Sequence, residues 1–381
     1  MGLFLDDIAI SHGFLQPLTT AFSVISLIGL ASLLLYGLLR NKLPWVVLGL
    51  SWFFIGHLIE STVLPLELAF EHRNYTPSFG VVLFVVIATY KLLNRANARR
   101  SVVLLAAILP PITLAAATHV RAGQWSSRDT LTALEVLHHP TSPRALRARG
   151  LALEIQGRPD EAYDFHRRSA ELDTQNLSGL IRMRGILNLA SYALDQGTID
   201  PEPLPPTDDP ANITYLSAIT LHPEYLNNMA KAVEEELLRR VREEKKDSGT
   251  IMALQSLAGC VASIDLSCRT SSPLAKLLIE TLLQSENLSN TERAHLNYNL
   301  ARMAMHFEDW EDAETHLDHA IDAKLIDLQM LVALADVQIQ LGKINEATRT
   351  IERYRSSDTQ PTFRRDVLQQ LENNLTNRPE N

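Results

Sequence analysis

Apolar residues fill the first third of the chain in long runs separated by short polar stretches, and near residue 120 the pattern gives way to apolar positions that return every three or four residues. The early runs lie at about 18–39, 44–66, 77–93 and 102–120. A bilayer's hydrocarbon core takes about 20 apolar residues of helix to cross, so these predict about four transmembrane helices. The second run ends in polar residues and Pro65, and the fourth contains Pro110 and Pro111. Both are expected to kink or partly re-enter, because neighbouring helices can satisfy the carbonyls that a proline frees.

Past residue 121 the helical period carries an internal repeat. Leu300, Ala301 and Ala304 are followed by Trp310, Ala313, Leu317 and Ala320; Leu334 and Ala335 are followed by Gly342, Ala347, Ile351 and Tyr354. Ala313 and Ala347 stand apart by the about 34-residue period of a tetratricopeptide repeat. An earlier copy holds Leu146, Gly150, Leu153, Gly157, Ala162 and Ser169, with the turn GRPDEA at its centre. Small residues at fixed places let antiparallel helices approach closely, so Gly150, Gly157, Ala162, Ala313, Ala320, Gly342 and Ala347 are expected to be packing positions.

The predicted fold is therefore all-α: a transmembrane region at 1–121, a tetratricopeptide-like helical region at 122–195, a Pro-rich acidic linker at 196–212, and a helical region at 213–381 ending in repeats at about 292–356. Further helices are expected at about 229–246, 250–268 and 273–285, the last entered by Pro273. Glu235 and Glu236 precede Arg239 and Arg240 by four residues, a spacing that suits a solvated face.

Charge excludes one class of partner. The chain has 35 Lys and Arg against 44 Asp and Glu, and an acidic surplus does not suit nucleic acid. Arg40 and Lys42 sit between the first two runs, and Lys91, Arg95, Arg99 and Arg100 between the third and fourth. The positive-inside rule puts both loops in the cytoplasm, which places the N-terminus, segment 60–77 and everything after about residue 121 on the outer, periplasmic face of a bacterial inner membrane. The first twenty residues lack a basic leader and carry Asp6 and Asp7, so they are expected to be retained. Cys260 and Cys268 are too few for a disulfide scaffold and have no histidine cluster beside them for zinc. Two small buried residues on one helix is the favoured expectation, with a disulfide as the alternative outside the cytoplasm.

Candidate chemistry concentrates in HLIESTVLPLELAFEHRNYTPS, from His57 to Ser78, which sets Glu60, Glu67, Glu71, His72, Arg73, Asn74 and Tyr75 at a membrane boundary. Ionisable groups there are costly unless they pair or face water. Arg73 could grip a phosphate through its forked donors, and the carboxylates could hold a divalent cation or a sugar hydroxyl. Equally, His57, Glu60 and Arg73 could be a paired lining that fixes a turn, with Tyr75 as an interfacial anchor. His138, His139, His166, His306, His316 and His319 are scattered and read as exposed or packed. No resident cofactor and no metal are expected, apart from a divalent cation if the chain is a transferase.

The stretch IGHLIESTVLPLELAFEHRNYTPS, with LFLDDIAIS and LTTAFSVISLIGL before it, resembles bacterial multi-spanning membrane proteins that end in tetratricopeptide repeats. Those are similar in turn to the O-mannosyltransferases and other lipid-linked sugar transferases of the GT-C architecture. The resemblance covers about residues 3–80 and the layout of repeats after them. It implies a polyprenyl phosphate sugar as donor, and an acidic residue in the first outer loop as base or metal ligand. On that resemblance the present chain is expected to start after the helices that would carry that loop, since Asp6 and Asp7 precede the first expected span. Two functions are therefore expected: a tethered scaffold that binds a protein or peptide in a helical groove, or a part or inactive relative of an O-glycosyltransferase. A third expectation is that the true gene product extends upstream of Met1.

Overall fold

The computed structural model of the chain describes residues 13–16, 18–41, 44–58, 75–200, 221–243, 246–263, 268, 271–322, 328–357, 369 and 373. Among them are fifteen α-helices and no β-strand. The chain divides into two compact units, Met1–Ser126 and Ser127–Asn381.

The first unit holds α1 (Leu18–Leu39), α2 (Pro44–Leu58), α3 (Tyr75–Arg95) and α4 (Arg100–Gln124). Three of them, α1, α3 and α4, are long and apolar enough to cross a membrane. Their large apolar side chains point outward, and no residue of α4 is buried. A helix that is apolar all round needs an apolar surrounding rather than a polar solvent face. The second expected run differs: its described helix has 15 residues, about 22 Å of rise against a core of roughly 30 Å. In the fourth run the helix continues through Pro110 and Pro111. Thr113 Oγ1 turns back to the carbonyls of Leu109 (3.0 Å) and Pro110 (2.9 Å).

Helices α2 and α3 pack as an antiparallel pair, because glycines face each other where they cross. A Cβ on Gly49 would lie 2.6 Å from the Gly80 carbonyl oxygen, and one on Gly80 would lie 2.6 Å from that of Gly49. Gly56 meets the ring of Pro77 in the same way. Small residues that admit backbone-to-backbone approach are the usual means of joining helices in lipid, where apolar side chains gain nothing by leaving it. Trp52 completes the pair: its indole N–H donates to the Thr76 carbonyl (2.7 Å), and its ring meets Phe79 edge-on. At the other end Lys91 lies over the ring of Trp45 at 5.5 Å.

The second unit contains α5 (Arg128–His138), α6 (Pro143–Ile155), α7 (Pro159–Leu172), α8 (Ser178–Asp195), α9 (Pro223–Glu243), α10 (Ser248–Val261), α11 (Ser272–Leu283), α12 (Asn290–His306), α13 (Trp310–Asp322), α14 (Leu328–Gln340) and α15 (Ile344–Ser357). Their starts are chemically marked. The side chains of Ser127, Ser142 and Asp247 accept from the N–H three residues on, and Ser289 with Glu292 forms a capping box. Proline occupies the first turn of α6, α7 and α11, where its missing N–H costs nothing.

Three tight hairpins, α6–α7, α12–α13 and α14–α15, turn the same way. Gly157, Glu308 and Gly342 have φ of 72°, 60° and 75°. In each, the following N–H reaches back to the carbonyl five residues earlier: Arg158 to Leu153, Asp309 to Ala304, Lys343 to Gln338. This left-handed cap satisfies carbonyls that a helix end leaves open, and glycine adopts it without strain. The last two hairpins also bury matching positions 34 residues apart: Leu300 and Leu334, Ala301 and Ala335, Ala313 and Ala347, Leu317 and Ile351, Ala320 and Tyr354. Helix α12 separates two cores. Leu296, Leu300 and Met303 face one that reaches back to Leu153, while Ala294, Ala301 and Ala304 face one that runs on to Tyr354.

Gly150 is a packing position for a specific reason. A Cβ there would lie 2.6 Å from Cε1 of His166, whose ring fills the space between α6 and α7 at 1 % exposure. His166 Nε2 is 2.6 Å from Glu154 Oε1, which holds the ring in place. Ala162, Ala313, Ala320 and Ala347 are fully buried, whereas Gly157 and Gly342 are exposed at turns and meet no neighbour within 4 Å of a Cβ.

Polar contacts join elements distant in sequence. Asn176 donates to Asp247 (2.8 Å), the Leu177 N–H to Thr250 Oγ1 (3.0 Å), and Thr250 Oγ1 to the Gln175 carbonyl (3.0 Å), which pins the start of α8 to the start of α10. The expected solvated face of α9 is half right. Arg239 is exposed and bridges Glu236 and Glu243, whereas Arg240 is 6 % exposed and donates to the Ala170 carbonyl (2.7 Å) as well as to Glu236 (2.6 Å). Arg240 therefore caps the end of α7 from α9, a contact between helices 70 residues apart that an i,i+4 pattern does not reveal.

Gly150→Ala is expected to destabilise the full chain by about 1–3 kcal/mol, because the held imidazole cannot move aside. Gly185→Ala, whose Cβ would meet nothing within 4 Å, is expected to be neutral or stabilising by roughly 0.5–1 kcal/mol. Thermal unfolding in mild detergent compares the two; equal midpoints would remove the packing role of His166.

Candidate functional site

Of the residues expected to carry chemistry, Glu60, Glu67, Glu71, His72, Arg73 and Asn74 lie outside the described residues. Tyr75 opens α3 with its ring 73 % exposed. No group of three or more His, Cys, Asp or Glu arranged to hold a metal ion occurs among the described residues.

The described residues do form an open groove of about 420 Å³ between α10 and α12. One wall is Ile251, Met252 and Gln255 of α10; the other is Glu292, His295, Tyr298, Asn299 and Arg302 of α12. The α12 residues at 292, 295, 299 and 302 recur at helical spacing and make one stripe. Most of their polar capacity is spoken for at the N-terminal end: the Glu292 carboxylate accepts from the N–H (2.8 Å) and hydroxyl (2.7 Å) of Ser289. Asn299 Nδ2 donates to the His295 carbonyl within the helix (2.7 Å). At the other end Arg302 is exposed, and its Nη1 would lie 3.8 Å from a Cβ on Gly259 of α10.

Beside Gly259, Cys260 is joined to Cys268 by a disulfide, with their Cα atoms 5.7 Å apart. The expectation of two buried small residues on one helix is thus corrected. Helix α10 stops at Val261, where the Ala262 N–H returns to the Ala258 carbonyl and the Ser263 N–H to that of Cys260, so Cys268 lies beyond the helix end and comes back to it.

A charged cluster borders the groove's second helix. Lys276 Nζ of α11 pairs with Asp312 of α13 at 2.7 Å. His316 Nδ1 is 3.2 Å from Asn297 Oδ1 of α12, and its Nε2 is 3.5 Å from Asp312. Burial holds the His316 imidazole below its usual range, against the opposing pull of Asp312. On α9, hydrogen bonding from Arg239, reinforced by Arg240, lowers the Glu236 carboxyl to about 2. These groups are structural: they join helices and present no free nucleophile or acid to the groove.

The chain matches no protein-family model and no curated protein. Sequence reasoning missed the groove because its lining comes from two helices about 40 residues apart, and neither half has a motif. The legible signal was the helical spacing of polar residues along 292–302.

The depressed pKa of His316 means that the folded chain resists a proton which the unfolded chain accepts. Its contribution is present above the ordinary histidine value of about 6.5 and is lost as pH falls through the lower folded value. His316→Gln is expected to flatten the change in unfolding midpoint between pH 7 and pH 5; an undiminished slope would exclude this histidine as its source.

Proposed function

We propose that the chain is a membrane-anchored helical scaffold that holds a protein or peptide in the groove between α10 and α12. That groove is the observation that carries the reading: an open cleft with exposed Met252 on one wall and exposed Arg302 on the other, on a unit built from stacked helix pairs. The shared turn geometry and the 34-residue recurrence of buried positions support a tetratricopeptide-like solenoid, whose stacked pairs naturally leave such surfaces.

The anchor is multi-pass, and the soluble unit works on the periplasmic side of a bacterial inner membrane. Antiparallel packing supports this topology. Trp45 of α2 lies beside Lys91 near the end of α3, and Gly56 lies beside Pro77 near its start, so α2 traverses most of the depth of its partner. With α2 crossing, Arg40 and Lys42 share a side with Lys91, Arg95, Arg99 and Arg100, as the positive-inside rule requires. The Cys260–Cys268 disulfide points the same way, because such bonds persist in oxidising compartments.

Protease added to intact spheroplasts is expected to cleave the region after residue 121, and both cysteines are expected to resist alkylation until reduced. Full protection of the region would reverse the orientation. A photo-crosslinking residue at Gln255 is expected to capture a partner that the same residue at exposed Glu352 does not; equal capture would remove the groove from the reading.

A further inference from the structure

We propose that the groove selects an extended peptide segment in which a large aliphatic residue and a carboxylate stand three residues apart, the carboxylate bound by Arg302. The inference rests on the scaffold reading above. Its first ground is local charge. The guanidinium of Arg302 is exposed and makes no hydrogen bond or ion pair with any described residue. The other charge of the stripe, Glu292, is ten residues back along α12, about 15 Å of rise, and its carboxylate is engaged by Ser289. That separation exceeds the roughly 8 Å over which charge is felt at physiological salt.

The second ground is spacing. Met252 is the exposed apolar side chain of the lining, at 68 %. The place on α10 that Arg302 overlies, Gly259, is seven residues further on, about 10 Å of helix. An extended chain covers that distance in three residues at about 3.3 Å each. A helical ligand would need seven residues for the same reach. Gly259 puts no side chain of its own between α10 and the guanidinium, which can bind a carboxylate on two nitrogens, the geometry in which guanidinium recognition is strongest.

The full chain in lipid nanodiscs, with empty nanodiscs subtracted, is applied to an array of hexapeptides that carry one Leu and one Glu at separations of one to four in a Ser and Gly background. Parallel arrays replace Glu by Gln or Lys. Retention is expected to peak at a separation of three, to fall at least tenfold with Gln, and to fall at least tenfold for Arg302→Glu on the Glu array. Arg302→Glu is expected to gain retention on the Lys array. Both Arg302 and Met252 are exposed, so Arg302→Glu and Met252→Asp are expected to keep the wild-type unfolding midpoint. Loss of binding with Met252→Asp but no effect of Arg302→Glu, or no preference for Glu, would overturn this inference and leave the scaffold reading standing. Retention indifferent to both substitutions, or absent on every array, would overturn both.

Discussion

Close approach of paired helices is the constraint on which both units of this chain depend. In the first unit it is met by absence: Gly49 and Gly80 present backbone to backbone, and Gly56 admits the ring of Pro77. In the second it is met by a fitted filler, the His166 ring that occupies the space left by Gly150. The physical need differs. In lipid no apolar gain drives helices together, so contact comes from backbone proximity and hydrogen bonds such as Trp52 to Thr76. In water, burying Leu146, Leu153 and Tyr163 supplies the drive, and the small residues decide how near the helices can come.

The groove follows from how those pairs stack. Helix α12 is buried on two faces, one for each core, and its remaining stripe is left to line the cleft with α10. A helix used on two sides has few positions free for function. Those it does free, His295 and Arg302, are fixed by a well-capped N-terminus on one side and by packing on the other. The disulfide holds the far end of the opposite wall, at the point that Arg302 overlies. Rigid walls of this kind lower the ordering cost of capturing a flexible segment.

Charged side chains serve two distinct ends in the second unit. Arg239 belongs to solvent and its acidic neighbours on one helix, a geometry that contributes little to stability. Arg240, one residue on, closes an open carbonyl at the end of α7 and joins it to α9. Adjacent, chemically identical residues thus differ in role because one residue's step, about 100° around the helix axis, separates the solvent face from the packed one.

The sequence by itself determined the helical class, the apolar runs that become α1, α3 and α4, and the 34-residue recurrence of small residues, because each is set by a local period; that Gly157 and Gly342 serve their turns by backbone angle and not by packing came from the structure. Ala313 and Ala347 fall at their buried positions on the ground of that period. Only the tertiary structure decided that Cys260 reaches Cys268, that α10 ends before it, that Arg240 is buried, and that Met252 and Arg302 share a groove. Each of those depends on which faces of distant helices meet. That choice is made by packing across many residues at once, and a helical period is the same whichever partner the face eventually finds.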